Sequence, residues 1–183
     1  MVAAVGLTAT ALAQIDPQSL EGARNGFSWE AARTPQWQLD QNKRLNAAIA
    51  ALKPERKGVI DAFVVVAGLD SDDVFTREAT ETARVLSRRF DAAGHTILLA
   101  TGGNLEPQGS PGHLAAVLAG VASRMNLKED VLILYTTSHG GPGIGIVYRD
   151  GKKGYGMIAP EWLARLLRDS GIERRVVMVS ACY

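Results

Sequence analysis

The chain alternates between two hydrophobic periods, and this alternation restricts the folds that it can adopt. Four short runs, 59–67, 95–100, 130–137 and 175–181, are almost continuously apolar, as expected of strands buried on both faces of a sheet. Between them, segments 74–93, 113–126 and 160–170 have apolar residues at helical spacing. Strands joined by helical crossovers pair in parallel, and right-handed crossovers cover both faces. The sequence therefore predicts an α/β fold with a mainly parallel sheet and helices on both faces.

Two further segments flank this alternation. Residues 143–148 and 152–158 surround Asp150-Gly151, a dipeptide typical of tight hairpin turns, and predict a hairpin before the last core strand. Upstream, residues 36–52 place Leu45, Ile49 and Leu52 on one helical face. Residues 16–35 are rich in turn formers, and we predict that they are irregular.

Composition excludes several classes of protein. The 20 Lys and Arg residues nearly balance the 19 Asp and Glu residues, which argues against a nucleic-acid partner held by bulk charge. No apolar run reaches the roughly 20 residues that span a bilayer. The single cysteine rules out an intramolecular disulfide and a Cys-based zinc cluster. We expect neither a metal ion nor a cofactor.

The N-terminal residues form a separate unit of the sequence. Residues 1–13 are small and apolar and end in Ala11-Leu12-Ala13, a pattern that signal peptidase cleaves. They predict a signal-peptide remnant and a periplasmic or secreted location, with an unstructured extension and a cytoplasmic location as the alternative. Residues 14–58 are an N-terminal extension with one amphipathic helix. Their composition leaves open a pro-segment, a packing extension and a linker.

Candidate site residues follow the predicted strands, because ligands of open parallel sheets bind at the carboxyl ends of the strands. His139 follows the third core strand, and Cys182 follows the fourth. An imidazole beside a thiol can take its proton and later protonate a leaving group. The backbone N–H groups of Gly140 and Cys182 are suited to form an oxyanion hole. Each residue alone has a simpler interpretation, since a lone Cys is often a small core residue.

Other polar residues lie at the same edge. Asp70 follows the first strand and is a candidate substrate contact, as are Ser138 and Ser180 beside the His and the Cys. Asp70, Asp72 and Asp73 are also candidate cation ligands, although helix capping explains one of them more simply. His95 and His113 are predicted to be exposed polar residues. The loop Gly102-Gly103-Asn104 lacks the P-loop and dinucleotide-binding patterns, so phosphate binding is a weaker alternative.

The strand-end segments Thr137-Ser138-His139-Gly140 and Ser180-Ala181-Cys182 are similar to the His-Gly and Ala-Cys boxes of caspase-like cysteine peptidases. Within that clan the chain resembles the legumain-like family, in its bacterial branch, over residues 36–183. Further segments look like that branch: the helix around 45–52, Val66-Ala67-Gly68, Asp73-Val74-Phe75, Arg77-Glu78 and residues 171–183.

The resemblance implies a cysteine endopeptidase with peptide or protein substrates and a peptidase domain over residues 59–183. Cys182 would attack the peptide carbonyl, and His139 would be the acid/base. Legumains of plants and animals cleave after Asn, using an Arg that follows the first strand. Leu69 and Asp70 stand there instead, so asparagine specificity does not carry over, and Asp70 would favour a basic substrate side chain.

The resemblance also implies that the C-terminal part of the domain is missing. Family members continue beyond the Cys with at least one more strand and helix. We therefore expect the edge of the fourth core strand to be exposed and the chain alone to be poorly active. Two alternatives to the peptidase remain: a non-catalytic caspase-like binding module, and a nucleotide or phosphosugar binder that uses the glycine-rich loops.

Overall fold

The structure of the chain, a computed structural model, describes residues 19–103 and 105–182. The signal-peptide prediction for residues 1–13 lies outside this part of the chain. In chain order the elements are α1 (Leu20–Asn25), β1 (Ser28–Glu30), α2 (Pro35–Ala50), β2 (Ala62–Gly68), α3 (Asp73–Arg89), β3 (Thr96–Ala100), α4 (Pro111–Ala122), β4 (Val131–Thr137), β5 (Gly140–Gly141), β6 (Gly145–Asp150), β7 (Gly154–Ile158), α5 (Pro160–Asp169) and β8 (Arg175–Ser180).

The four predicted core strands form one parallel sheet in the order β3-β2-β4-β8. Strand β2 lies inside this sheet, and alternate residues enter two separate cores. Phe63 and Val65 face a core that includes residues of α2, α4 and α5, whereas Val64 and Val66 face α3. The sequence of this strand is continuously apolar because both of its faces are buried. The α/β prediction with helices on both faces is confirmed.

A second, antiparallel sheet has the order β1-β7-β6-β5. The predicted hairpin is confirmed as β6 and β7, but Asp150 pairs with Gly154, so the connection has three residues (151–153). The prediction that residues 16–35 are irregular is wrong, because α1 and β1 lie there. Both elements are too short to leave a hydrophobic period in the sequence. Strand β1 is defined by its pairing with β7, in which Ser28 lies opposite Gly156.

The N-terminal extension packs onto the domain over its described residues, 19–58. Ala23 of α1 is fully buried beside β6 and β7, and Leu45 and Leu52 belong to the large core between the sheet and the helices. Helix α2 contacts α4, where the side chain of Ile49 lies against Gly120. The described part of this segment is therefore packed against the domain, as both a packing extension and a bound pro-segment would be.

His95 corrects one prediction about the surface. Its side chain is buried against the ring of Phe63, with 4.5 Å between the ring centroids. Its Nε2 lies 3.1 Å from the carbonyl oxygen of Pro54. The prediction that His95 is exposed is wrong, because residues 53–55 fold over the start of β3 and cover the ring.

Strand β8 forms one edge of the parallel sheet. Among the described residues it pairs only with β4, as expected from the sequence. Val176, Val177 and Val179 are each between 39% and 51% exposed, so neither face of the strand is well covered. Within residues 19–103 and 105–182, no helix has both the length and the hydropathy that a bilayer crossing requires.

Candidate functional site

The site lies where β4 and β8 end side by side. The last residue pair of the two strands is Thr137 and Ser180. Beyond it, the N–H of Ser138 donates to the carbonyl oxygen of Ser180 at 3.1 Å. A methyl group added to Gly140 would overlap the carbonyl oxygen of Cys182 and lie 2.7 Å from its carbonyl carbon. The segments that carry His139 and Cys182 are thus in backbone contact, which confirms that the two strands are neighbours.

Cys182 has a free, exposed thiol. A structural cysteine is normally buried as a small apolar residue. This one follows a core strand, yet its side chain remains outside the core. The thiol is therefore accessible to a substrate or a reagent, which reactive cysteines require.

His139 is about half exposed and contacts the start of α3. Its ring meets the ring of Phe75 edge to face, with 4.9 Å between centroids. Its Nε2 lies 3.5 Å from the Oδ2 of Asp72, and both side chains are slightly more than half exposed. The imidazole is held between an aromatic ring and a carboxylate, both from the first turn of one helix.

Asp72 belongs to an ion-pair network that continues into the core. Arg149 donates to Asp72 Oδ2 at 2.6 Å, and it donates to both oxygens of Asp70, from Nε at 2.9 Å and from an Nη at 3.2 Å. Asp70 is fully buried. The hydrogen bonds that Arg149 donates to the two carboxylates, with those to Asp70 foremost, hold its pKa above its usual range. The arginine thus links a buried carboxylate to the carboxylate that faces His139.

Glu78 ties α3 to both strands of the site. Its carboxylate accepts hydrogen bonds from Tyr135 Oη, from Thr137 Oγ1 at 2.8 Å and from Ser180 Oγ at 2.9 Å. Burial is the largest influence and favours the neutral acid. The three hydroxyl donors together outweigh it and hold the pKa of Glu78 below its usual range. An ionised Glu78 therefore fastens the ends of β4 and β8 to the helix below them.

The three predicted substrate contacts are all paired with other groups of the protein, and two of them, Asp70 and Ser138, are buried. Asp70 is fully buried and paired with Arg149. Ser138 is buried and its hydroxyl donates to the carbonyl oxygen of Val147 at 2.6 Å. Ser180 donates to Glu78. These groups support the strand ends, and the expected preference for a basic substrate side chain loses its physical basis because Arg149 already neutralises Asp70.

Asp70, Asp72 and His139 also have the residue types of a metal site. Their ligand atoms lie within 4.8 Å of one another. The guanidinium of Arg149 contacts both carboxylates, so a metal ion would compete with this positively charged side chain for the same oxygens. We interpret the cluster as an ion-pair network. Asp72 occupies the N-cap position of α3, but its side chain makes no capping hydrogen bond within the described residues.

The glycine-rich loop after β3 lines a separate cavity of about 370 Å³. Arg33, on its wall, is paired with Glu30 and Asp150 and lies 4.1 Å from the ring centroid of Trp37. The arginine suited to hold a phosphate is thus already neutralised by two carboxylates. Lys152 and Lys153 also line this cavity, so the phosphate-binding alternative stays a prediction.

No family model and no curated protein matches this chain. The site is therefore described by its geometry alone. Sequence analysis located His139, Gly140 and Cys182, but it missed Arg149, Glu78 and the contact between Asp72 and the histidine. Arg149 directly precedes the Asp150-Gly151 turn, and no spacing in the sequence relates it to Asp70. Glu78 faces three hydroxyls from two strands, which only the folded chain brings together.

Proposed function

We propose that the chain is a cysteine-type endopeptidase, with Cys182 as nucleophile and His139 as general acid and base. The observation that carries this proposal is the backbone contact between Gly140 and Cys182. It puts an exposed thiol, an imidazole and a glycine N–H at the same end of two neighbouring strands. A thiol of ordinary acidity is mostly protonated at neutral pH, and a nearby imidazole that takes its proton is the usual means of activation.

In the proposed reaction, His139 takes the proton of the Cys182 thiol, and the sulfur forms a bond to the carbonyl carbon of the substrate. The N–H groups of Gly140 and Cys182 hold the negative charge that develops on the carbonyl oxygen. The imidazolium then gives its proton to the departing amine as the carbon–nitrogen bond breaks. A water molecule, deprotonated by His139, releases the acyl group and restores the thiol.

The close approach at Gly140 supports the oxyanion hole. A side chain at residue 140 would overlap the carbonyl group of Cys182, so glycine is required for the two segments to come together as they do. The positions of both proposed donors are therefore fixed by main-chain packing. Fixed donors are what transition-state stabilisation needs, because they are in place before the charge develops.

Alkylation by iodoacetamide tests the reactivity of the thiol directly, because Cys182 is the only cysteine in the chain. We expect alkylation at pH 7 to be faster than that of free cysteine, and His139→Ala to slow it. His113→Ala is the matched control, because His113 is half-buried and its Nδ1 lies 2.8 Å from the carbonyl oxygen of Gln108, outside the predicted site. A labelling rate equal to that of free cysteine, unchanged in His139→Ala, would contradict the proposal.

Peptide hydrolysis tests the activity itself. A fluorogenic peptide library varied at the residue before the scissile bond is incubated with the chain and with Cys182→Ala. Because the chain alone is expected to be poorly active, we expect slow cleavage that requires Cys182. Turnover that persists unchanged in Cys182→Ala would exclude the proposed nucleophile.

One observation favours a second candidate, a non-catalytic binding module. Beside β8 lies an apolar groove of about 390 Å³, lined in part by Ile146, Ile158, Val177 and Val179. Exposed apolar surface of this kind is typical of interaction sites. The labelling experiment separates the two candidates, since a binding module needs no activated thiol.

A further inference from the structure

The orientation of the His139 ring is set by two contacts from α3. Phe75 meets the ring edge to face, and Asp72 Oδ2 lies 3.5 Å from Nε2. The aromatic contact limits rotation of the ring, and the carboxylate faces one of its two nitrogens. With Nε2 facing Asp72, the proposed mechanism requires Nδ1 to take the proton of the thiol. The contact thus separates the roles of the two nitrogens.

The side chain of Asp72 is diverted from the usual task of its position. An aspartate at the start of a helix commonly accepts a hydrogen bond from an N–H of the first turn. Asp72 has the extended backbone of an N-cap residue, with φ −67° and ψ 134°, but its side chain makes no such bond within the described residues. Its Oδ2 instead receives the guanidinium of Arg149 and faces His139.

Arg149 is itself held by Asp70 and by the backbone of the loop after β2. Asp70, which is fully buried, accepts two hydrogen bonds from the guanidinium. The N–H of Arg149 donates to the carbonyl oxygen of Leu69 at 3.0 Å, and the N–H of Ser71 donates back to Arg149 at 2.9 Å. Although the Arg149 side chain is 37% exposed, its two bonds to a fully buried carboxylate limit its freedom to move. Asp72 is therefore held against a rigid partner.

Strand β6, which carries Arg149, also holds the histidine. The N–H of Val147, two residues before Arg149 on β6, donates to the carbonyl oxygen of His139 at 2.9 Å. The loop that carries Asp72 and the backbone of His139 are both fastened to β6. The distance between the carboxylate and the imidazole is thus set by one strand.

From these contacts we infer that Asp72 is a positioning residue for His139, fixed in place by Arg149 and Asp70. At 3.5 Å from Nε2, its carboxylate is placed to attract a proton on that nitrogen, which would favour the tautomer with an unprotonated Nδ1. It also faces the imidazolium that forms when the ring accepts the thiol proton. The catalytic part of this inference rests on the proposed peptidase function, whereas the choice of tautomer does not.

The tautomer is measured by nitrogen NMR of the histidine side chains in the full chain, with His139→Ala to assign the signal. At a pH where the ring is neutral, we expect the wild type to carry its proton mainly on Nε2 and Asp72→Ala to show a mixture of tautomers. Asp73→Asn is the matched control, because Asp73 is the neighbouring exposed acid in the first turn of the same helix. An unchanged tautomer in Asp72→Ala overturns the inference.

Kinetics supply the second measurement. For the best peptide substrate, we expect Asp72→Ala to lower kcat by roughly ten- to a hundredfold with little change in KM, and Asp73→Asn to lower neither. Added formate should restore part of the lost rate by occupying the position of the carboxylate. Equal kcat in the two variants overturns the positioning role. If the wild type has no turnover but its tautomer still depends on Asp72, the peptidase proposal fails and the positioning contact stands.

Discussion

Replacing Glu78 by glutamine should lower the free energy of unfolding by about 2 kcal/mol at pH 7. One carboxylate oxygen accepts from Tyr135 and Ser180, and the other accepts from Thr137 at 2.8 Å. The amide oxygen of glutamine can still accept the hydrogen bonds from Tyr135 and Ser180, but these are weaker because the acceptor is no longer charged. The amide nitrogen cannot accept from Thr137, whose buried hydroxyl would have to turn. The estimate is kept modest because Glu78 is only partly buried.

The pH dependence provides a sharper test of the same reasoning. The folded-state pKa of Glu78 is lowered, so its ionised form stabilises the protein above the ordinary value of 4.5. That stabilisation is lost as the pH falls through the folded-state pKa. We therefore expect the gap in unfolding free energy between the wild type and Glu78→Gln to be largest near neutral pH. It should narrow as the pH falls below 4.5 and close once the pH is below the folded-state pKa.

Urea denaturation followed by circular dichroism, at several pH values, measures both effects. Glu81→Gln is the matched control, because Glu81 lies on the same helix, is 61% exposed and pairs with Arg84 on the surface. Such surface pairs contribute about 0–1 kcal/mol. Equal stability of the two variants, or a gap that persists in acid, would refute the assignment of Glu78 as the charged anchor of β4 and β8.

Three further predictions concern the site and the core. Gly140→Ala should reduce peptide hydrolysis about a hundredfold, because the methyl group displaces the backbone of Cys182, whereas Gly112→Ala meets nothing within 4 Å and should leave it unchanged. Asp61→Asn should lower the free energy of unfolding by about 2 kcal/mol at pH 7, since the buried carboxylate accepts two hydrogen bonds from Arg56. Burial opposes the charge of Asp61, but those bonds outweigh it and lower its pKa, so the loss should vanish in acid. Leu134→Ala should cost about 3 kcal/mol in urea denaturation, because the side chain is fully buried in the larger core, and a loss below 1 kcal/mol would contradict that packing.

The parallel sheet could be predicted from sequence because burial on both faces demands an unbroken apolar run, as in Ala62–Gly68. The predicted ends were less accurate. The first core strand was expected from residue 59, but Val59 and Ile60 are exposed and the strand begins at Ala62. Strand β1 has three residues and is defined by its pairing with β7, so its sequence is too short to show the hydrophobic alternation of a strand.

The candidate site could also be predicted only in part from the sequence. Residues that follow strands could be located, because parallel strands bring their carboxyl ends to one edge, and His139 and Cys182 were found by this rule. Whether a polar side chain at that edge faces solvent could not be predicted. Asp70 and Ser138 were expected to contact substrate, but both are buried and paired within the protein.

The sequence by itself determined the alternation of strands and helices, and with it the two neighbouring strand ends that carry a histidine and a cysteine. Hydrophobic period is a local property, so it can be read along the chain. The tertiary structure decided which charges surround the histidine: Asp72 faces it, Arg149 holds Asp72, and the carboxylate of Asp70 lies beneath them both. The contacts of Arg149 with Asp70 and Asp72 join residues 79 and 77 positions apart, and only the packing of β6 against the loop after β2 brings them within hydrogen-bonding distance.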